Sequence, residues 1–170
     1  MLDAAEVTLR PITPEDTAFL FAVYASTRAE ELAAVRWSEA EKEEFLRMQS
    51  TMQHRFYQAH FPAAAFQVVL RRGSPIGRLY VDRRPEEIRI VDVALLPEHR
   101  GAGIGSALIR DALAEALDAG KPVRIHVERL NPALSLYGRL GFVPTGDAGV
   151  YLLLEWAPER GASRQVKTAS

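Results

Sequence analysis

The sequence predicts an α/β domain: a mixed, mostly antiparallel central sheet flanked by helices, with one parallel pair between its fourth and fifth strands. Three observations carry that expectation. Short apolar runs that read as strands are interspersed with long segments of helical period. A strand, a glycine-rich turn, a helix and another strand follow one another over 87–127, and strands so connected run parallel through a crossover. The remaining strands lie close in sequence and are expected to pair antiparallel. A chain of 170 residues, 48% hydrophobic and 25% charged, suits a single core. The expected domain covers 1–157, with a polar, aperiodic and flexible tail at 158–170.

Val7 to Arg10 alternates and stops at Pro11, which gives a short first strand. Thr13-Pro14-Glu15-Asp16 starts a helix, with a capping residue, a proline at the first helical position and acids in the first turn. Leu20, Val23 and Tyr24 form its apolar stripe. Ser38 with Glu41 three residues on is a capping box, and the stretch from Glu39 to His60 has neither Gly nor Pro. A long helix is expected there, with Phe45, Met48, Met52 and Phe56 marking its buried face. Phe66–Leu70 and Ile76–Val81 flank Arg72-Gly73-Ser74-Pro75 and read as a hairpin. Glu87 to Leu96 is a longer strand. Ile104 to Ala119 is a helix with one row of Ile104, Leu108, Ala112 and Ala116, beside Ile109, Leu113 and Leu117; Gly120 and Pro122 end it. Val123–Val127, a short helix over Pro132–Leu140 closed by Gly141, and a last strand Val150–Trp156 complete the order.

Composition narrows function. With 21 Lys+Arg against 22 Asp+Glu, the net charge of −1 lacks the broad basic footprint of a nucleic-acid binder. Cysteine is absent, which excludes disulfides, thiolate metal sites and a covalent cysteine nucleophile. No apolar run approaches the roughly 20 residues of a membrane span. The N-terminus, MLDAAEVTLRP, has no apolar signal core, so a cytoplasmic location is expected. No metal site is expected either: His54 and His60 lie off one helical face, and no HExxH occurs.

The most informative stretch is Leu96-Pro97-Glu98-His99-Arg100-Gly101-Ala102-Gly103-Ile104-Gly105-Ser106. Three glycines at alternate positions, opening a helix, leave backbone N–H groups unpaired and let an anion approach with no Cβ in the way. Phosphate or pyrophosphate binding follows; a strand-to-helix turn needing only flexibility is the plainer alternative. The Walker pattern is missing, and a dinucleotide fingerprint would want glycine where Ser106 stands, although Glu128 falls near the distance of a ribose-binding acid.

Arg100-Gly101-Ala102-Gly103-Ile104-Gly105 resembles the Q/R-x-x-G-x-G/A motif of the GCN5-related N-acetyltransferase (GNAT) superfamily. The preceding Val93–His99 looks like that family's fourth strand and its proline-containing approach. A second block, Asn131-Pro132-Ala133-Leu134-Ser135-Leu136-Tyr137-Gly138-Arg139-Leu140-Gly141-Phe142, is similar to the family's later motif. The element order fits from Val7 to Trp156. The resemblance implies the acyl-CoA N-acyltransferase fold, with the fourth and fifth strands splayed. It further implies transfer of an acetyl group from acetyl-CoA, as co-substrate, to a primary amine by direct attack in a ternary complex.

By that resemblance, backbone N–H groups of Gly101, Ala102, Gly103, Ile104, Gly105 and Ser106, next to Arg100, hold the pyrophosphate. Backbone groups of Val93, Ala94 and Leu95 pair with the pantetheine arm as with an added strand, and an N–H near Leu95 stabilises the oxyanion. Tyr137 protonates the departing thiolate, since a phenol of pKa about 10 in contact with it can donate to a thiol of pKa about 8.5. A packing aromatic is the alternative role. Asn131 contacts the cofactor or caps the helix before Pro132.

An amine must lose a proton before it attacks. His126 on the fifth strand, Asp92 on the fourth and Glu128 at the end of the fifth could take it, or could be structural polar groups. Alternation puts His126 and Glu128 on one face. Trp37 lies in the loop between the first two helices, near Glu30 and Glu31, which could attract a cationic amine or form a helix-end charge pair. The acceptor, a small-molecule amine or a peptide or protein amine, is not specified, and oligomeric state is open, a homodimer included. A non-catalytic acyl-CoA sensor of the same fold is the runner-up.

Overall fold

Along Val123–Glu128 every second residue is buried: Val123, Ile125 and Val127 point into the core, while Arg124, His126 and Glu128 line the other face. This strict alternation is what a half-buried strand requires. In the computed structural model, described over residues 6–159, the elements are β1 (Val7–Pro11), α1 (Thr17–Ala33), α2 (Glu39–His60), β2 (Ala65–Arg71), β3 (Ser74–Arg83), β4 (Ile88–Leu95), α3 (Ile104–Ala119), β5 (Val123–Glu128), α4 (Leu134–Arg139), β6 (Val143–Ala148) and β7 (Tyr151–Trp156). Most of the expected tail lies outside the described residues. Seven strands hydrogen-bond in the order β1-β2-β3-β4-β5-β7-β6. β4 and β5 are parallel; β1–β2, β5–β7 and β6–β7 are antiparallel. The mixed sheet is the predicted one.

The chain forms two compact units, one from the residues up to Tyr80 with Asp92–Ile104, the other from Val81–Val91 with Gly105 onward. In the first, Arg72 and Gly73, at φ 51° and 81°, make the two-residue turn between β2 and β3. Arg10 grips Asp16 through two bonds of 2.9 Å, and the Thr13 N–H adds a third at 2.8 Å. Asp16, set between the expected cap and α1, forms a short 3₁₀ turn with Pro14 and Glu15. Ser38 caps α2, accepting from the Glu41 N–H at 3.1 Å.

In the second unit, α3 buries Leu108, Ala112 and Ala116 of the row read from the sequence, with Ile109 and Leu113 beside it. Glu87, nearly fully buried, receives Arg124 at 2.9 Å and lies within 3.3 Å of both Arg84 and Arg89. Burial pushes its pKa up, but the three guanidinium groups prevail and hold it below the ordinary value.

Two expectations are corrected. Val143–Ala148 is a strand beyond the six expected, in a segment where Pro144, Gly146 and Asp147 give no strand signal. It lies at the sheet edge, where a proline is tolerated, and its pairing with β7 is irregular between Pro144 and Gly146. The buried face of α2 is also not where the apolar spacing put it. Met48, Met52 and Phe56 are 52%, 56% and 51% exposed. Phe45 is half-covered, and the half-covered side runs on through Leu46, Gln49, Gln53, His54 and Tyr57.

Candidate functional site

β4 pairs with β5 only over Ile88–Val123, Arg89–Arg124 and Ile90–Ile125, so the ladder covers the first three residues of an eight-residue strand. The remainder of β4, which includes Val93, Ala94 and Leu95, leads into a 3₁₀ turn, Pro97–His99. Gly101 and Gly103 then adopt φ of 78° and 83°, a region costly for any residue with a Cβ. α3 starts immediately, so the N–H groups of Ile104, Gly105 and Ser106 have no acceptor within their own helix. A Cβ on Gly101 or Gly105 would meet nothing within 4 Å. Gly101 and Gly105 leave open approach rather than serving tight packing. Arg100 staples the turn: its Nε donates to the Leu95 carbonyl at 2.9 Å and its Nη2 to Ser26 Oγ at 3.2 Å.

Gly77 has the opposite reason for being glycine. A Cβ there would stand 2.3 Å from the Ala94 carbonyl oxygen and 2.7 Å from Leu95 Cδ2. The end of β4 is therefore laid directly on β3, and the Leu96 N–H donates to the Ile76 carbonyl at 2.8 Å. Gly77→Ala is expected to destabilise the protein by about 1–3 kcal/mol, as overpacking against backbone does. A denaturant melt checks this; a change under about 0.5 kcal/mol would show that Ala94 and Leu95 give way freely.

Asp92 sits in a buried polar cluster of the same unit. Arg78 Nη2 donates to Asp92 Oδ2 at 2.6 Å and to Gln53 Oε1 at 2.9 Å, and the Tyr57 hydroxyl donates to Asp92 Oδ2 at 3.3 Å. The Arg78 side chain is 7% exposed and that of Asp92 15%. The guanidinium also lies 5.3 Å from the centre of the Tyr80 ring, and Arg78 Nε is buried without a partner. Burial works against the Arg78 charge; Asp92, Tyr80 and Tyr57 outweigh it and leave its pKa raised.

His54, on the same side of α2, has its pKa lowered, first by burial and then by Arg78. Its folded pKa thus lies below the unfolded value of about 6.5. The unfolded chain takes the extra proton first, so stability declines as pH falls from about 6.5 through the folded pKa. His54→Gln should reduce the loss of denaturant midpoint between about pH 7.5 and pH 5; an unchanged loss would assign the acid sensitivity to other groups.

In the second unit, His126 Nδ1 accepts from Arg89 Nη1 at 3.0 Å. Burial, and then Arg89, lower the His126 pKa, which Glu87 partly counters. Asn131 Oδ1 accepts from the Ala133 N–H at 2.9 Å, a local turn that leads into α4. Tyr137 is 5% exposed, its ring edge-on to Phe142 at 5.6 Å, and its carbonyl accepts from the Phe142 N–H at 3.0 Å. Among the described residues no group of three His, Cys, Asp or Glu could hold a metal, and no helix is long and apolar enough to cross a membrane.

The family model described as Acetyltransferase (GNAT) family matches residues 11–142, most of the chain. The chain belongs to the GNAT family. Solved acetyltransferase structures resemble it over nearly their whole length. The PaiA N-acetyltransferase of Thermoplasma acidophilum, in complex with coenzyme A, is 20% identical with a TM-score of 0.66, covering 89% of this chain and 98% of that one. An acetyltransferase of Thermus thermophilus is 20% identical with a TM-score of 0.62, over 89% and 96%. A GNAT acetyltransferase of Elizabethkingia anophelis with acetyl-CoA bound is 15% identical with a TM-score of 0.57, over 89% and 98%. At such identities the likeness is one of fold. No curated protein matches.

Membership makes the chain an acyl-CoA-dependent N-acetyltransferase. Against the GNAT motifs, the structure joins Leu95 to Arg100 in one unit and keeps Asp92 there. His126, Asn131 and Tyr137 belong to the other. It adds residues that the motifs do not contain: Arg78, Gln53 and Tyr57 around Asp92, Arg89 on His126, and Gly77 under Ala94. Charged Arg78, set among Ile76, Leu79, Tyr80 and Val81 in β3, was the readable signal for a buried polar partner.

Proposed function

We propose that this GNAT enzyme moves an acetyl group from acetyl-CoA to a primary amine, on a small molecule or a peptide or protein, by direct attack in a ternary complex. The observation that carries the reading is the turn after β4, where two glycines at positive φ precede the open N-terminus of α3. An anionic pyrophosphate fits N–H groups presented there without side chains in the way, and the helix dipole favours it. Acetyl-CoA supplies the thioester.

In this reading the N–H groups from Gly101 to Ser106 hold the pyrophosphate. The peptide groups of Val93, Ala94 and Leu95, beyond the short β4–β5 ladder, align the pantetheine arm, and the Leu95 N–H faces the carbonyl oxygen as it gains charge. Asp92 or His126 takes the amine proton. The nitrogen–carbon bond forms, the carbon–sulfur bond breaks, and the Tyr137 hydroxyl gives its proton to the leaving sulfur. Asn131 orders the approach to α4. The absence of cysteine from the chain leaves no acyl-cysteine route.

A thiol-release assay with acetyl-CoA and a panel of amines tests this. Release that depends on an added amine supports it. Tight acetyl-CoA binding with no release across the panel would overturn it in favour of a sensor.

A further inference from the structure

Gly77 lies inside β3 and is not among the glycines at positive φ, so its backbone conformation does not call for glycine. Glycine weakens a strand interior, and here the position needs the missing side chain. The space a Cβ would take is filled by the Ala94 carbonyl oxygen first, then by Leu95 Cδ2 and Leu95 Cα, all within 3.0 Å. Two of those three atoms are backbone, which no change of rotamer can move aside.

This close approach fixes a direction. A peptide is planar and trans, so its C=O and N–H point opposite ways. With the Ala94 carbonyl laid on Gly77, the Leu95 N–H of the same peptide points away from β3. The next peptide is held at both ends. The Leu96 N–H donates to the Ile76 carbonyl at 2.8 Å, and the Leu95 carbonyl accepts from Arg100 Nε at 2.9 Å. Arg100 is anchored in turn: its Nη2 donates to Ser26 Oγ at 3.2 Å, and the Ser26 hydroxyl donates to the Val23 carbonyl in α1 at 2.7 Å. Leu95, itself buried, thus stands between two immobilised peptides.

We propose that Gly77 and the Arg100 side chain are positioning residues for acetyl transfer, a role that rests on the Leu95 N–H being the oxyanion donor of the proposed function. Together they aim that N–H at the thioester oxygen before the amine attacks. Both act through the peptides of Leu95 rather than on the acetyl group. A donor already aimed needs no reorganisation as the oxygen gains charge, which is when such groups contribute most. A Cβ at position 77 pushes the Ala94 carbonyl off β3 and turns its N–H partner with it. Loss of the Arg100 bond frees the peptide on the other side.

Infrared spectroscopy of acetyl-CoA isotope-labelled at its carbonyl carbon, bound to the enzyme without amine, reads the aim directly. In wild type the carbonyl stretch should lie below its position for acetyl-CoA free in water. At a temperature where every variant is folded, Gly77→Ala should at least halve that displacement. It should also lower kcat about 10-fold or more, with the acetyl-CoA dissociation constant within about two-fold of wild type. Arg100→Met, measured at saturating acetyl-CoA, should change the band and kcat in the same sense; it carries the test alone if Gly77→Ala gives no folded protein. Val123→Ala, a core truncation where β5 pairs with Ile88 at the other end of β4, should lower the melting temperature yet keep the band and kcat. A displaced wild-type band that either variant retains in full, with kcat unchanged, would overturn the positioning role and leave acetyl transfer standing. Losses in Val123→Ala equal to those in Gly77→Ala would overturn it as well, by making the effect one of stability. A wild-type band at the free position would overturn both the positioning role and the part given to the Leu95 N–H.

Discussion

Tyr137→Phe is expected to lower kcat by about 100-fold or more while the affinity for acetyl-CoA stays close to wild type. The substitution removes only the hydroxyl. The ring keeps its edge contact with Phe142, and the backbone bond from the Phe142 N–H to the Tyr137 carbonyl is untouched. A loss confined to kcat is therefore a loss of proton donation rather than of fold. Steady-state thiol release together with calorimetric titration of acetyl-CoA separates the two. An unchanged kcat would show that water or another group protonates the sulfur and that Tyr137 is a packing aromatic.

Asp92→Ala should cost about 3–5 kcal/mol of folding stability, the larger part from Arg78 rather than from Asp92 itself. Without the carboxylate, a guanidinium with one nitrogen already unpartnered is left buried with no anion beside it. Removing both charges together, as Arg78→Met with Asp92→Leu, should recover most of that loss, because the pair's desolvation cost disappears with its attraction. Denaturant melts of Arg78→Met, Asp92→Leu and the double variant form the cycle. An additive result would mean that Arg78 and Asp92 do not depend on each other. The double variant also bears on the amine proton: if it is stable but slow, and its pH–rate profile is changed, Asp92 serves the reaction as well as the fold.

Much of this was legible in the sequence because it rests on local backbone needs. Glycines at positions 101 and 103 supply the positive φ that the turn needs, and α3 announces itself by a long apolar row that is buried as spaced. What escaped depends on neighbours distant in sequence. Gly77 looks like an ordinary strand residue until Ala94 lies across it. Asp92 reads as a lone carboxylate, yet Arg78 and Tyr57, 14 and 35 residues away, decide its surroundings. The same cluster turned α2 around: a polar partner under the helix fixed which side faces inward, and the periodicity of Met48, Met52 and Phe56 could not register that. β6 was hidden by Pro144 and Gly146, residues that a central strand would reject and an edge accepts.

The two outermost strands of the sheet, β1 and β6, each contain a proline, Pro11 and Pro144. A strand interrupted in this way offers an incomplete row of donors to a newcomer. Growth by adding strands, the route to ribbons and fibrils, is thereby discouraged at both rims. At these two rims, adding a further strand would leave part of the ladder unpaired.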